Sequence, residues 1–267
     1  HISSHSDYLV ERLEANGAIV IGKSNTPEFG AGSHTFNEVF GHTRNPWNIG
    51  LSAGGSSGGS AAALASGQVW LATGSDLGGS LRNPASFCSL VGLRPSPGRV
   101  AHGPTTLPFS DLPVDGPMGR NTRDVAIMLD AQVGHDPRDP LSLPAPEISF
   151  RSVTDHPTIP KRVGFSPDLG FLPVDREVKN LCEKAAQTFS DMGTVVEEAC
   201  IDFSGADEIF HVLRGQLFAA GRTNLLDHRD QVKPEIIWNI EAGLGFSALE
   251  ITRATNARGA LYQRTLK

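Results

Sequence analysis

Residues 53–63 read Ala-Gly-Gly-Ser-Ser-Gly-Gly-Ser-Ala-Ala-Ala, and a second glycine-rich run follows at 74–82, Gly-Ser-Asp-Leu-Gly-Gly-Ser-Leu-Arg. Nothing else in the chain restricts its fold so tightly. A backbone this poor in side chains can approach another backbone closely and adopt positive φ at little cost. A flexible Gly/Ser linker would stay polar, yet the first run passes directly into alanines that predict a helix over 60–66, closed by Gly67. The two runs are therefore shaped loops.

The rest of the sequence places those loops in an α/β chain. With 39% hydrophobic and 19% charged residues over 267 positions, there is enough apolar matter for a core and disorder is excluded. The 29 glycines and 18 prolines gather in loops near 50–60, 74–84 and 92–117. Residues 7–16 predict a helix, with Leu9, Val10 and Leu13 on one face and Gly17 as its stop. The apolar run 18–21 then reads as a short strand buried on both faces. A strand is expected over 69–73, and a helix from Thr122 to about Val133. The proline-rich stretch 137–160 reads as a connection. A strand at 162–165, a helix over 175–192 and a strand at 194–198 come next, and the pattern is helical from 205 onward. Alternating strands and helices give an α/β fold, a mixed β-sheet core covered by helices on both faces.

Charge and cysteine content remove several function classes. There are 23 Lys and Arg against 29 Asp and Glu, a net charge of −6, whereas a nucleic-acid binder wants a basic face. Three cysteines without metal-ligand spacing signal neither a disulfide framework nor a zinc site. The expected setting is reducing and cytoplasmic. No apolar run reaches the ~18 residues of a membrane span.

Small residues ahead of a helix can cradle a phosphate, but the Walker pattern needs a lysine where Ser60 and Ala61 stand. Gly55-Ser56-Ser57-Gly58-Gly59 matches the G-x-S-x-G nucleophile elbow in form, with Ser57 as nucleophile. However, no strand leads into it, and His135 and His211 have uninformative surroundings. A third reading uses both runs: Ser56 and Ser80 each follow glycine, and the intervening helix and strand can fold back to bring the loops together. The turn Leu77-Gly78-Gly79-Ser80 would then present successive N–H groups to one developing oxyanion.

Ordered motifs beyond these runs carry a resemblance. They are Gly22-Lys23-Ser24-Asn25-Thr26-Pro27-Glu28-Phe29, Gly41-His42-Thr43-Arg44-Asn45-Pro46-Trp47, the two glycine runs, Val91-Gly92-Leu93-Arg94-Pro95 and Gly116-Pro117-Met118. Together they resemble the amidase signature family, densely over 7–140 and loosely from 161 to 267. The resemblance implies a single amidase signature domain over 1–267, incomplete at both ends, with residues 1–140 as the core bearing the catalytic loops and 161–267 as the α/β remainder. It implies amide hydrolysis through a Ser-Ser-Lys triad. In that triad Ser80 is the acyl-accepting nucleophile, Ser56 bridges after a cis peptide, and the lysine lies before residue 1. Lys23 falls on a different family motif, so the chain alone is expected to lack amidase activity.

The same resemblance assigns Leu77, Gly78, Gly79 and Ser80 to the oxyanion loop and turns Gly30, with Phe29 and Ala31, toward the acyl chain. Ser57, Asp76 and Arg82 are supporting residues. It implies no cofactor and no metal. The expected partner is a small-molecule amide, with no nucleic acid and no membrane, and a homodimer is left open. The alternative from another class is the A subunit of the glutamine-dependent aminoacyl-tRNA amidotransferase. That protein carries an Asn-Leu-Ala-Arg-like segment, where this chain has Ala220-Gly221-Arg222-Thr223-Asn224. Which amide is cleaved is not legible. Trp47 is expected to anchor a loop, Cys88 to be a buried inert thiol, and Asp136-Arg138-Asp139 to form a capped turn.

Overall fold

Leucines at 9 and 13 recur at the spacing of one helical face, and both are buried in α1 (Tyr8–Ala15). Gly17, at φ +86°, ends it. The computed structural model describes residues 3–267, which divide into two compact units, one up to His156 and the other Pro157–Lys267. The division falls inside the proline-rich connection.

In the first unit, short antiparallel pairs come first: β1 (Phe36–Asn37) with β2 (Gly41–His42), and β3 (Arg44–Asn45) with β4 (Asn48–Ser52). Then follow α2 (Gly58–Ala65), β5 (Ala72–Asp76), α3 (Arg82–Phe87), β6 (Val91–Gly92), β7 (Val114–Gly119), α4 (Thr122–Gln132) and α5 (Phe150–Asp155). β5, β7 and β6 form an antiparallel sheet with β7 in the middle, Ser75 opposite Asp115 and Asp76 opposite Val114. Ala61 and Leu64 of α2, Ala85 of α3, Leu81, Cys88 and Met118 of β7 close one core. Leu64, Leu81 and Met118 are wholly buried, each worth about 1.5–3 kcal/mol of transfer free energy. A second core joins Leu9 and Leu13 to Val100, Met128, Leu129 and Val133.

In the second unit, β8 (Arg162–Phe165) and β9 (Val195–Glu198) pair in parallel across α6 (Arg176–Asp191), the arrangement a crossover helix requires. Helices α7 (Ala206–Arg222), α8 (Pro234–Gly245) and α9 (Ala248–Thr265) follow, with a 3-10 segment, Thr223–Gln231, after α7. Gly215 and Gly243 let α7 and α8 cross in backbone contact, since a Cβ on Gly243 would overlap the Gly215 carbonyl.

The α/β class is as expected, built here from helices and small sheets. The strand expected at 18–21 does not form, and Ile19, Val20 and Ile21 are 87%, 50% and 73% exposed. An unbroken apolar run has no period, and no described strand pairs with it. The expected strand at 69–73 lies three residues later, at 72–76, where its ladder to β7 forms. The cap of α4 is Asn121, whose side chain accepts the Asp124 N–H at 2.9 Å, and not Thr122. The connection 137–160 also holds α5, capped by Ser149.

Candidate active site

The two glycine runs meet edge to edge. Helix α2 begins at Gly58, and a Cβ on Gly59 would overlap both the N and the O of Asn25. Glycine there lets the Ser24–Asn25 segment lie against the helix start, with Gly59 N–H donating to Asn25 O at 3.2 Å and Ser24 Oγ 3.0 Å from Ser60 Oγ. The buried Thr35 hydroxyl fixes the turn before α2: it donates to the Gly54 carbonyl at 2.9 Å and accepts the Gly58 N–H at 3.1 Å. The Gly55–Ser56 peptide between them is cis, as the resemblance implied. Ser57 then ties this turn to the second run. Its N–H donates to Ser80 O at 3.3 Å, and its hydroxyl accepts the Ser75 N–H at 3.2 Å.

Asp76, the last residue of β5, organises the second run. It has no exposed surface, and a carboxylate buried there must be compensated. Gly79 N–H donates to it at 2.8 Å and Leu81 N–H at 3.2 Å. The Arg82 fork closes on it with two bonds of 3.0 Å, and Arg94 Nη1 lies 3.3 Å away. Burial alone would raise the carboxyl. The Arg82 hydrogen bond, the Gly79 N–H, the Arg82 charge and the Leu81 N–H outweigh it and hold it below the ordinary carboxylate range. Arg94 also donates to the Asp76 carbonyl and, at 2.9 Å, to Leu112 O.

The turn Leu77–Ser80 is thereby pinned at Gly79 and Leu81, while the N–H groups of Leu77, Gly78 and Ser80 meet no acceptor among the described residues. This corrects one expectation: the Gly79 N–H belongs to Asp76, so Gly79 shapes the turn and offers no free donor. Ser56 is buried, Ser80 is half-buried, and no hydrogen bond joins their hydroxyls. The direct Ser56–Ser80 hydrogen bond that a bridging serine calls for is therefore not formed in this structure. The Ser56 hydroxyl faces the loop at Gly30, 3.9 Å from where a Gly30 Cβ would stand. Gly30 thus lies near Ser56, and Phe29 beside it is 52% exposed. Contrary to expectation a strand, β4, does end just before this turn, but Ser57 has no histidine partner and its bonds to Ser75 remove the nucleophile-elbow reading.

Lys23 is exposed and hydrogen-bonds neither serine; its charge is felt at Asp7. Cys88 is buried and its thiol is pushed up by that burial. Trp47 anchors its loop through Nε1–H to Cys88 O at 2.8 Å. Asp136 holds Arg138 at 3.0 and 2.9 Å, and that hydrogen bonding takes its carboxyl down to about 2. Among the described residues no cluster of His, Cys, Asp and Glu could hold a metal, and no helix is long and apolar enough to cross a membrane.

Sequence reasoning missed Thr35, Arg94 and the His102–Asp115 pair. His102 Nδ1 lies 2.7 Å from Asp115 Oδ2, and the His102 backbone N–H donates to Asp139 Oδ2 at 2.9 Å. The Asp115 hydrogen bond raises the imidazole above its usual value against the opposing effect of burial. Asp115 pairs with Ser75, so this contact ties the 97–113 loop to the strand before the Ser80 turn. Only Arg94 carried a signal, its place in the Gly92-Leu93-Arg94-Pro95 motif.

Comparison with known proteins agrees with this geometry. The Amidase family profile matches residues 1–260. The glutamyl-tRNA(Gln) amidotransferase A protein of Thermosynechococcus vestitus is 39% identical over 213 residues, covering 79% of this chain and 44% of that protein. An acylamidase of Rhodococcus erythropolis is 35% identical over 265 residues, 98% of this chain and 56% of that protein. Among solved structures, a bacterial aryl acylamidase of the amidase signature family superposes with a TM-score of 0.90 at 29% identity, over 98% of this chain and 56% of that one. A 6-aminohexanoate cyclic dimer hydrolase superposes with a TM-score of 0.89 at 28% identity, over 98% and 57%. The chain spans about half the length of the curated relatives it matches. On the match over 1–260 and the motifs that build this site, the chain belongs to the amidase family of amidase signature enzymes.

Proposed function

We propose that the protein containing this chain hydrolyses linear amides through an acyl-enzyme on Ser80. The observation that carries this reading is the Ser80 turn itself, held by a buried Asp76 so that the Leu77, Gly78 and Ser80 N–H groups stay unused beside the Ser56–Ser57 segment. Ser80 Oγ attacks the amide carbonyl carbon, and the oxygen that becomes negative takes those N–H donors. Each such donor is worth on the order of 3–4 kcal/mol in the transition state.

A serine hydroxyl needs a base to act as a nucleophile. The Ser80 proton passes through the Ser56 hydroxyl, turned from the Gly30 side, to the lysine amine of the triad. The same proton returns to the leaving nitrogen as the C–N bond breaks, and water then cleaves the ester. The reading needs no metal or organic cofactor. Its partner is a small-molecule amide; a homodimer remains part of the proposal. The acylamidase and aryl acylamidase relatives support hydrolysis, matching 98% of the chain. The amidotransferase relatives carry the second reading, favoured by an identity of up to 43%.

The test uses the protein that contains this chain with an anilide and a matched nitrophenyl ester, for wild type, Ser80→Ala and Ser56→Ala. Ser80→Ala should abolish both activities. Ser56→Ala should cost the anilide far more than the ester, because an amine leaves only when protonated. Anilide hydrolysis that survives Ser80→Ala contradicts the reading. Activity only with glutamine and a tRNA-bound acceptor favours the amidotransferase.

A further inference from the structure

Three arginines of the second unit meet a carboxylate: Arg162 reaches Glu197 at 2.6 Å, Arg229 reaches Glu241 at 2.5 Å and Arg264 reaches Asp202 at 3.4 Å. Arg214 and Arg222 do not. Both project from α7 on either side of Phe218 in sequence, and their guanidinium carbons lie 4.8 and 4.7 Å from the centre of that ring. Phe218 is 3% exposed beneath them. Arg214 uses Nε on Asn239 Oδ1 of α8, at 2.9 Å, and the Arg222 guanidinium donates to no atom of the described residues. Both are half-buried. Burial depresses each below arginine's usual value, Arg222 adds repulsion at Arg214, and no carboxylate offsets either.

Two cations on one helix, partly drawn out of water and close enough for one to repel the other, are unfavourable without a counter-ion, and none is present among the described residues. An anion within reach of both removes that cost. The open N–H edges are planar forks, which match a carboxylate in two-point geometry. The surroundings are aromatic: Phe210, 38% exposed, lies 6.0 Å from the Arg214 guanidinium, and Trp238, 55% exposed, precedes Asn239 on α8 and stands 5.4 Å from His211. A hydrated inorganic ion would gain nothing from this apolar rim. An organic acid would.

We propose that Arg214 and Arg222 form a binding site for a small organic acid, the carboxylate lying between the two guanidiniums and the apolar part against the aromatic rim of α7 and α8. Isothermal titration of benzoate, with inorganic phosphate as comparison, tests this on the protein that contains this chain, as wild type, Arg222→Gln and Arg214→Lys. The Arg222 side chain makes no hydrogen bond within the described residues, so Arg222→Gln should keep the wild-type circular dichroism. The expected result is saturable 1:1 binding of benzoate, weakened at least tenfold by Arg222→Gln. Arg214→Lys, which keeps the charge and loses the fork, should weaken it as well. Absence of saturable benzoate binding, equal binding by Arg222→Gln, or tighter binding of phosphate than of benzoate overturns the proposal. Self-association that Arg222→Gln abolishes and benzoate leaves untouched would place the carboxylate on a second copy of the chain, and overturns it too.

Discussion

Replacing Asp76 by Asn changes one oxygen for an amide and removes the charge on which the Ser80 turn is built. Five donor contacts converge on the carboxylate: Gly79 N–H and Leu81 N–H from the turn, two from Arg82 and one from Arg94. An asparagine can accept through one oxygen only, and its NH₂ would face donors on the other side. At least two hydrogen bonds to a charged group are lost, each worth about 1.5–3 kcal/mol. Arg94, three-quarters buried, keeps its bonds to the Asp76 carbonyl and Leu112 O but loses the negative charge it faces, while Arg82, 55% exposed, recovers much of its solvation, so its share is discounted. The expected loss is about 3 kcal/mol, at the low end of the range for breaking a buried pair.

Urea denaturation of wild type and Asp76→Asn at pH 7 reads this as a lower midpoint with an unchanged slope. The sign with pH is fixed by the depressed carboxyl. Its stabilisation is present above the unfolded value near 3.9 and is lost as pH falls through the lower folded value, so the two proteins should converge in acid. A difference below about 1 kcal/mol at neutral pH, or one that grows on acidification, refutes the reasoning.

Gly59→Ala should cost about 2 kcal/mol or more in a thermal melt, because the new Cβ meets backbone atoms of Asn25 that cannot yield; a neutral result would mean the 24–25 segment is not seated there. Ser57→Ala should lose about 1 kcal/mol of stability with its bonds to Ser75 and still take a serine-directed label, whereas loss of labelling would restore Ser57 as nucleophile. For His102, whose imidazole is raised by Asp115, the contribution to stability is full below about pH 6.5 and is lost as pH rises through the folded value. Melting temperatures of wild type and Asp115→Asn should thus differ most near pH 6 and approach each other at pH 9; a pH-independent gap contradicts the pair.

What the sequence made legible was local. The glycine runs announced close backbone approach, and the structure uses them so at Gly55 against His34 and at Gly59 against Asn25. Leu9 and Leu13 predicted the buried face of α1, and 162–165 and 195–198 formed strands because β-branched residues there met a parallel partner. The run at 18–21 misled because apolarity without a period cannot say what a segment pairs with. Within the site, Ser80, Asp76 and Arg82 could be read from one motif. Thr35, Arg94, His102 and Asp115 could not, since each reaches the loops across 13 to 21 residues or more of chain. The Gly79 N–H was assigned to the oxyanion loop because every N–H of a glycine turn looks alike in sequence; only the side chain of Asp76, three residues back, distinguishes it.

The account stands on Ser80 as the residue that is acylated. Treating the protein that contains this chain with a fluorophosphonate, which loses fluoride to a nucleophilic serine, and mapping the labelled peptide by mass spectrometry tests that directly. The predicted result is one label, on Ser80, absent from Ser80→Ala and retained in Ser57→Ala. A label on Ser56 or Ser57, or labelling undiminished in Ser80→Ala, would contradict it.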